Sequence, residues 1–210
     1  MDELDFLKQH WQKDQDFPKV NKEEIRRMLY KSSSSLVKWI FIISVIELFV
    51  GIILNVLLYY YDKEKVYEEN ILDIFSNIVD VVSYLFIFYF IYAFFTSYRK
   101  IKTTNSTKEL LKDILFTRKT VGHYIKFNIY LIIFAIGMAS LSLILEEDIM
   151  HKSIGHNILF LVLISIIMFL LGWLIISIIK LYYRVIYIRL VKKLDKNYED
   201  LIKLEEEENL

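Results

Sequence analysis

Four long apolar blocks alternate with charged segments along this chain. The blocks cover about 36–61, 71–98, 124–145 and 158–183. At about 1.5 Å of rise per residue, roughly 20 apolar residues cross the hydrocarbon of a bilayer, so each block is long enough to span. Between and beyond them the period changes. Leu4, Leu7 and Trp11 fall on one face of a short helix after Asp2, and a second helix starts at Asn21 with Glu24 three residues on. Ser106 and Glu109 form a capping box. The helix it opens, 107–121, carries Leu110, Leu111, Ile114, Leu115 and Val121 on one side, with Gly122 as its C-cap. After the fourth block, Tyr187, Leu190, Leu194, Asn197, Leu201 and Leu204 follow heptad spacing with one polar position. The pattern predicts an all-α chain in three parts. Residues 1–35 are an N-terminal helical segment, 36–183 a four-transmembrane-helix bundle of polytopic type, and 184–210 a C-terminal helix.

The basic residues orient these spans. Lys8, Lys13, Lys19, Lys22, Arg26, Arg27, Lys31 and Lys38 precede or open the first block, whereas the next loop holds only Lys63 and Lys65. Arg99, Lys100, Lys102, Lys108, Lys112, Arg118, Lys119 and Lys126 lie between blocks two and three, and Lys152 stands alone in the following loop. Seven more follow from Lys180 onward. This alternation predicts that both termini and the central loop are cytoplasmic. The outer loops are short, so neighbouring spans form antiparallel hairpins. The 107–121 helix is amphipathic and basic, as an interfacial helix would be.

Composition narrows the chemistry. Of 210 residues 55% are hydrophobic and 25% charged, and the zero net charge hides the segregation just described. The absence of cysteine removes disulfides and thiolate metal sites. The first 35 residues carry no apolar run of signal-peptide type, so the first block itself serves as insertion signal. No phosphate loop, nucleophile elbow or zinc-helix motif is present. His151 and His156 beside Glu146, Glu147 and Asp148 suit a surface loop better than a metal site, and no cofactor is expected.

The polar residues inside the apolar blocks are the candidate site. Glu47 sits about nine residues, or about 13 Å, inside the first span, where a charged carboxylate costs several kcal/mol and must face the bundle. Ser44, Gly51 and Asn55 share its helical face. Asp73, Asn77, Asp80 and Tyr84 form a stripe on the second span, and antiparallel pairing puts Asp80 at the depth of Asn55. Asn128, Ala135, Ala139 and Ser142 on the third span, with Ser165 and Gly172 on the fourth, permit close helix contact. The plainest reading bonds Glu47 to a tyrosine such as Tyr84 or Tyr89. An ion path or a lipid or partner-span site are the alternatives.

The stretches LDFLKQHWQK, KSSSSLVKWIFIISVIE and KIKTTNSTKELLKDILFTRKTVGHYIKFN resemble a family of uncharacterised four-span bacterial inner-membrane proteins. The resemblance covers most of the chain and implies the topology above without an activity. The function to expect is non-enzymatic: a membrane-anchored adaptor or regulator binding a cytosolic protein. Leu4, Leu7, Trp11, Leu190, Leu194, Asn197 and Leu201 are its candidate contacts, unless the C-terminal seam packs on the chain's own N-terminal helices or on a second copy. The alternative is a small transporter or channel subunit using Glu47, Asn55, Asp80 and Tyr84. The bilayer, a protein partner and a homo-oligomer are the expected associations, and nucleic acid is not among them.

Overall fold

The computed structural model describes residues 21–62, 71–104, 106–146 and 154–207, and Leu4, Leu7, Trp11 and His151 lie outside them. The described residues contain helices and no strands. Helix α1 is Lys22–Asp62, α2 is Ile71–Thr103, α3 is Thr107–Glu146 and α4 is Ile154–Tyr183. A π-helical turn, Arg184–Ile188, joins α4 to α5, Arg189–Glu206.

The helix starts follow local chemistry. The N–H groups of Glu24 and Ile25 donate to the Asn21 carbonyl at 2.8 and 3.1 Å, and Glu23 and Glu24 occupy the first turn of α1. Carboxylates there offset the partial positive charge of the free N–H groups. At α3 the Glu109 N–H donates to Ser106 Oγ at 3.5 Å, while the Glu109 carboxylate accepts from the Thr104 hydroxyl at 3.0 Å. The box is therefore closed through Thr104 rather than back onto Ser106.

The amphipathic segment and the third span are one helix. Gly122 is not a C-cap: α3 runs through it, and no glycine among the described residues has positive φ. Likewise α1 runs without a break through Ser32, Ser33, Ser34 and Ser35. Helices α1 and α3 thus extend well past their apolar stretches at one end, the base. There α5, which continues α4 through the π-helical turn, packs alongside α1 and α3.

The packed interior lies at that base, in two adjoining layers. The outer layer joins Leu36 and Val37 of α1, Ile101 of α2, Leu110 and Ile114 of α3, and Leu194 and Leu201 of α5. Asn197 belongs to it, donating through Nδ2 to Ser32 Oγ at 3.0 Å and Ser33 Oγ at 3.1 Å. Arg118 of α3 pairs with Asp195 of α5 at 2.6 Å, and Tyr30 donates to Thr107 at 3.2 Å. The inner layer contains Ile40, Phe90, Phe94, Val121, Tyr124, Tyr183 and Tyr187. Away from the base the helices are bare. Every residue from Gly51 to Tyr60 is exposed. At Gly172 α4 packs tightly on α3, since a Cβ there would lie 3.3 Å from the Ile136 side chain. All four long helices are apolar and long enough to cross a membrane, with 0–17% of their most hydropathic windows buried in the chain.

Candidate functional site

The inner layer surrounds one carboxylate. Glu47 projects from α1 toward hydroxyls carried by three other segments. Tyr182, at the end of α4, donates to Oε1 at 2.8 Å, and Tyr187, in the π-helical turn, donates to Oε2 at 3.1 Å. Tyr124 of α3 also donates to Oε2. Tyr124 and Tyr187 are fully buried, whereas Tyr182 is partly exposed. Tyr183 accepts no part in the hydrogen bonding but packs its ring 5.6 Å from Tyr187 and 6.5 Å from Tyr124. Phe90 and Phe94 of α2 close the nest edge-on against Tyr124 at 5.4 and 5.6 Å.

The π-helical turn explains how two tyrosines five residues apart serve one carboxylate. In an unbroken α-helix, at about 100° per residue, positions five apart diverge by about 140°. An i→i+5 turn widens the ring so that such positions come back to one side. Tyr182 lies just before the turn and Tyr187 within it, so the irregularity aims both at Glu47.

Two open cavities adjoin the nest. One, of about 460 Å³, is lined by Glu47, Tyr182 and Tyr183 together with apolar residues of α1, α2 and α4. The second, of about 470 Å³, lies further from the base between α1, α2 and α3 and holds Ser76, Asp80, Ser83 and Ser142. Gly51, Tyr84, Ile87, Asn128 and Ile132 line both, which makes them one continuous groove. No lysine, arginine or histidine lines either part. Asn128 donates through Nδ2 to the Tyr124 carbonyl at 2.9 Å, which leaves its amide oxygen as an acceptor.

The structure redistributes the residues singled out from sequence. Glu47 is bonded, but by Tyr124, Tyr182 and Tyr187 rather than by Tyr84 or Tyr89; Tyr89 is exposed. Asp80 and Tyr84 line the groove, and Asn55 is exposed outside it. Ser44, expected on the polar stripe, is buried and donates to the Phe41 carbonyl at 2.8 Å. Leu194, Asn197 and Leu201 are buried against α1 and α3, and Leu190 is half-buried between the two layers. Their seam is therefore occupied by the chain itself. Among the described residues no group of three or more His, Asp or Glu side chains could hold a metal.

Tyr182 and Tyr187 were the omission. Tyr182 lies at the base end of the fourth apolar block and Tyr124 at that of the third, while Tyr187 follows four residues past the fourth. Glu47 lies eleven residues, about 16 Å by helical rise, from Leu36, so the block ends alone do not bring the four to one level.

The family described as "Domain of unknown function (DUF8845)" matches residues 23–206, and the chain belongs to it. No curated protein and no solved structure matches the chain.

Proposed function

We propose that this DUF8845 protein is a multi-pass protein of the bacterial inner membrane, with both termini in the cytoplasm, that works without catalysis as a membrane-anchored adaptor or regulator. One observation carries the reading. The folded core of the chain lies at the base, in the extensions of α1 and α3, in α5 and in the adjoining ends of the apolar stretches, and not along the length of those stretches. A protein whose work lay wholly within the bilayer would have no need of a helical head braced by Arg118–Asp195 and by Asn197 on Ser32 and Ser33. The head is a scaffold that holds a surface at a set height above the membrane. Its exposed apolar residues include Met28 on α1 and Phe116 on α3, and the face of Leu4, Leu7 and Trp11 adjoins it in sequence. Because the chain itself occupies the α5 seam, partner contact falls to those residues.

Two measurements test this. Reporter fusions at Asp62 or Lys152 are expected to read as external, and fusions at either terminus as cytosolic. Tagged wild-type protein purified from membranes is expected to retain a protein at fixed ratio, and Leu7→Ala with Trp11→Ala, or Phe116→Ser, to release it while the chain stays folded in the membrane. An unchanged set of co-purifying proteins in both variants overturns the adaptor reading.

A further inference from the structure

We propose that the groove between α1, α2 and α3 is a binding site for an organic cation with an apolar body, and that Asp80 is its counter-ion. The inference rests on the membrane-spanning part of the preceding reading and is independent of any protein partner.

The lining selects the charge of the ligand. The Asp80 half of the groove holds about 470 Å³ and continues into about 460 Å³ beside Glu47, each within the range of small-molecule sites. Its walls are aliphatic and aromatic, Phe134 and Ala139 among them, with Ser83, Tyr84 and Asn128 supplying polar atoms. Two carboxylates and no basic side chain face it. An anion would meet only like charge, and a neutral acyl chain would leave Asp80 without compensation.

The two carboxylates are not equivalent. Three tyrosine hydroxyls donate to Glu47, so its lone pairs are largely taken. Asp80 has no ion pair or hydrogen bond from any described residue and is exposed to the groove. It stands nine residues after Ile71, about 13 Å along α2 by helical rise, in the midst of an apolar stretch. An ionised carboxylate at such depth is costly, and groups of this kind pair with a cation or mark a ligand site. Tyr84, one turn along the same helix, lines the same cavity, where an aromatic ring adds attraction for a cation held by Asp80. Gly51 and Asp80 in the lining are exposed, and on the spanning reading that exposure gives a lipophilic cation entry from the bilayer.

The test uses the purified full-length chain in detergent micelles and labelled tetraphenylphosphonium, with tetraphenylborate as the anion of matching shape. Saturable binding near one per chain is expected, displaced by other organic cations and not by tetraphenylborate. Asp80→Asn should weaken binding at least tenfold. Ala139→Phe, which fills the cavity from α3 and leaves Asp80 in place, should abolish it. Tyr89→Phe, on α2 but outside the groove, should stay within about threefold of wild type. Thermal melting shows that each variant is folded. Absent saturable binding by folded wild type, equal binding of the borate, or unchanged affinity in folded Asp80→Asn each overturns the proposal. A chain released from membranes by alkaline carbonate without detergent overturns the spanning reading instead, so the two failures are separable.

Discussion

Removing the Glu47 carboxylate should destabilise the protein mainly through the hydroxyls it leaves behind. In Glu47→Ala, Tyr124 and Tyr187 lose their acceptor in a fully buried position. A buried donor left unpaired costs about 1–3 kcal/mol, so the two together cost about 2–6 kcal/mol. Tyr182 adds little because it is partly exposed and can turn to solvent. Double-mutant cycles in a membrane helix bundle average only about 0.6 kcal/mol per hydrogen bond, which makes the lower end of the range the floor to expect if the unfolded chain stays in lipid and finds partners there. At about 2–4 °C per kcal/mol for a chain of this size, Glu47→Ala lowers the melting midpoint in detergent by roughly 4–24 °C. Glu47→Gln keeps one acceptor oxygen and should lose less, about 0.5–1.5 kcal/mol. The decisive comparison is the double variant. Adding Tyr187→Phe to Glu47→Ala removes one orphaned hydroxyl and should recover about 1–3 kcal/mol, although it deletes a further native atom. If Glu47→Ala melts within 2 °C of wild type, or the double variant melts below the single one, the hydrogen-bonded nest is not what joins α1 to α4.

Two further outcomes separate the observed architecture from its nearest rivals. Leu194→Ala, at a fully buried position of the outer layer, should cost about 2–5 kcal/mol and speed proteolysis within α5, whereas a seam awaiting a partner would leave the isolated chain's melting unchanged. Gly122→Ala should be tolerated or stabilising by about 0.5–1 kcal/mol, because α3 is continuous there and nothing lies within 4 Å of the added Cβ; a fall in stability would point instead to a glycine-specific cap.

The apolar blocks and the heptad spacing after Lys180 were legible because they report burial or lipid exposure directly, and periodicity survives any choice of partner. Helix ends were less legible. Ser32–Ser35 and Gly122 look like interruptions, yet a helix that passes from a packed head into an apolar environment meets no reason to stop. Here the small residues do something else: Ser32 and Ser33 admit α5 closely enough for Asn197 to reach them. Asn197 is the one polar member of its heptad, and it fixes the register of α5 on α1, a role well attested for single buried polar residues in helix seams. That it does so within the chain, not across a dimer, depends on α5 continuing α4 to lie beside α1, through an i→i+5 turn that has no marker in a run such as RVIYI.

The site was half legible for a related reason. Glu47 stood out because a carboxylate in an apolar block is expensive, but its depth depends on where the first span begins. The lysines of the neighbouring helices bear on this. Lys126 lies two residues beyond Tyr124, Lys180 two residues before Tyr182, and both are exposed. Each sits about 3 Å by helical rise from a tyrosine that bonds Glu47, on the side away from the base. On the spanning reading, exposed ammonium groups at that level reach back toward headgroups, so the nest lies at the edge of the hydrocarbon and Asp80 well inside it. The division follows from the energetics. At the edge, where a carboxylate can be ringed by amphipathic tyrosines, the chain builds its tightest packing. Deeper in, lipid covers the apolar faces as well as protein would, so the helices have no hydrophobic reason to close. A gap left open there around a carboxylate has to be explained by what enters it.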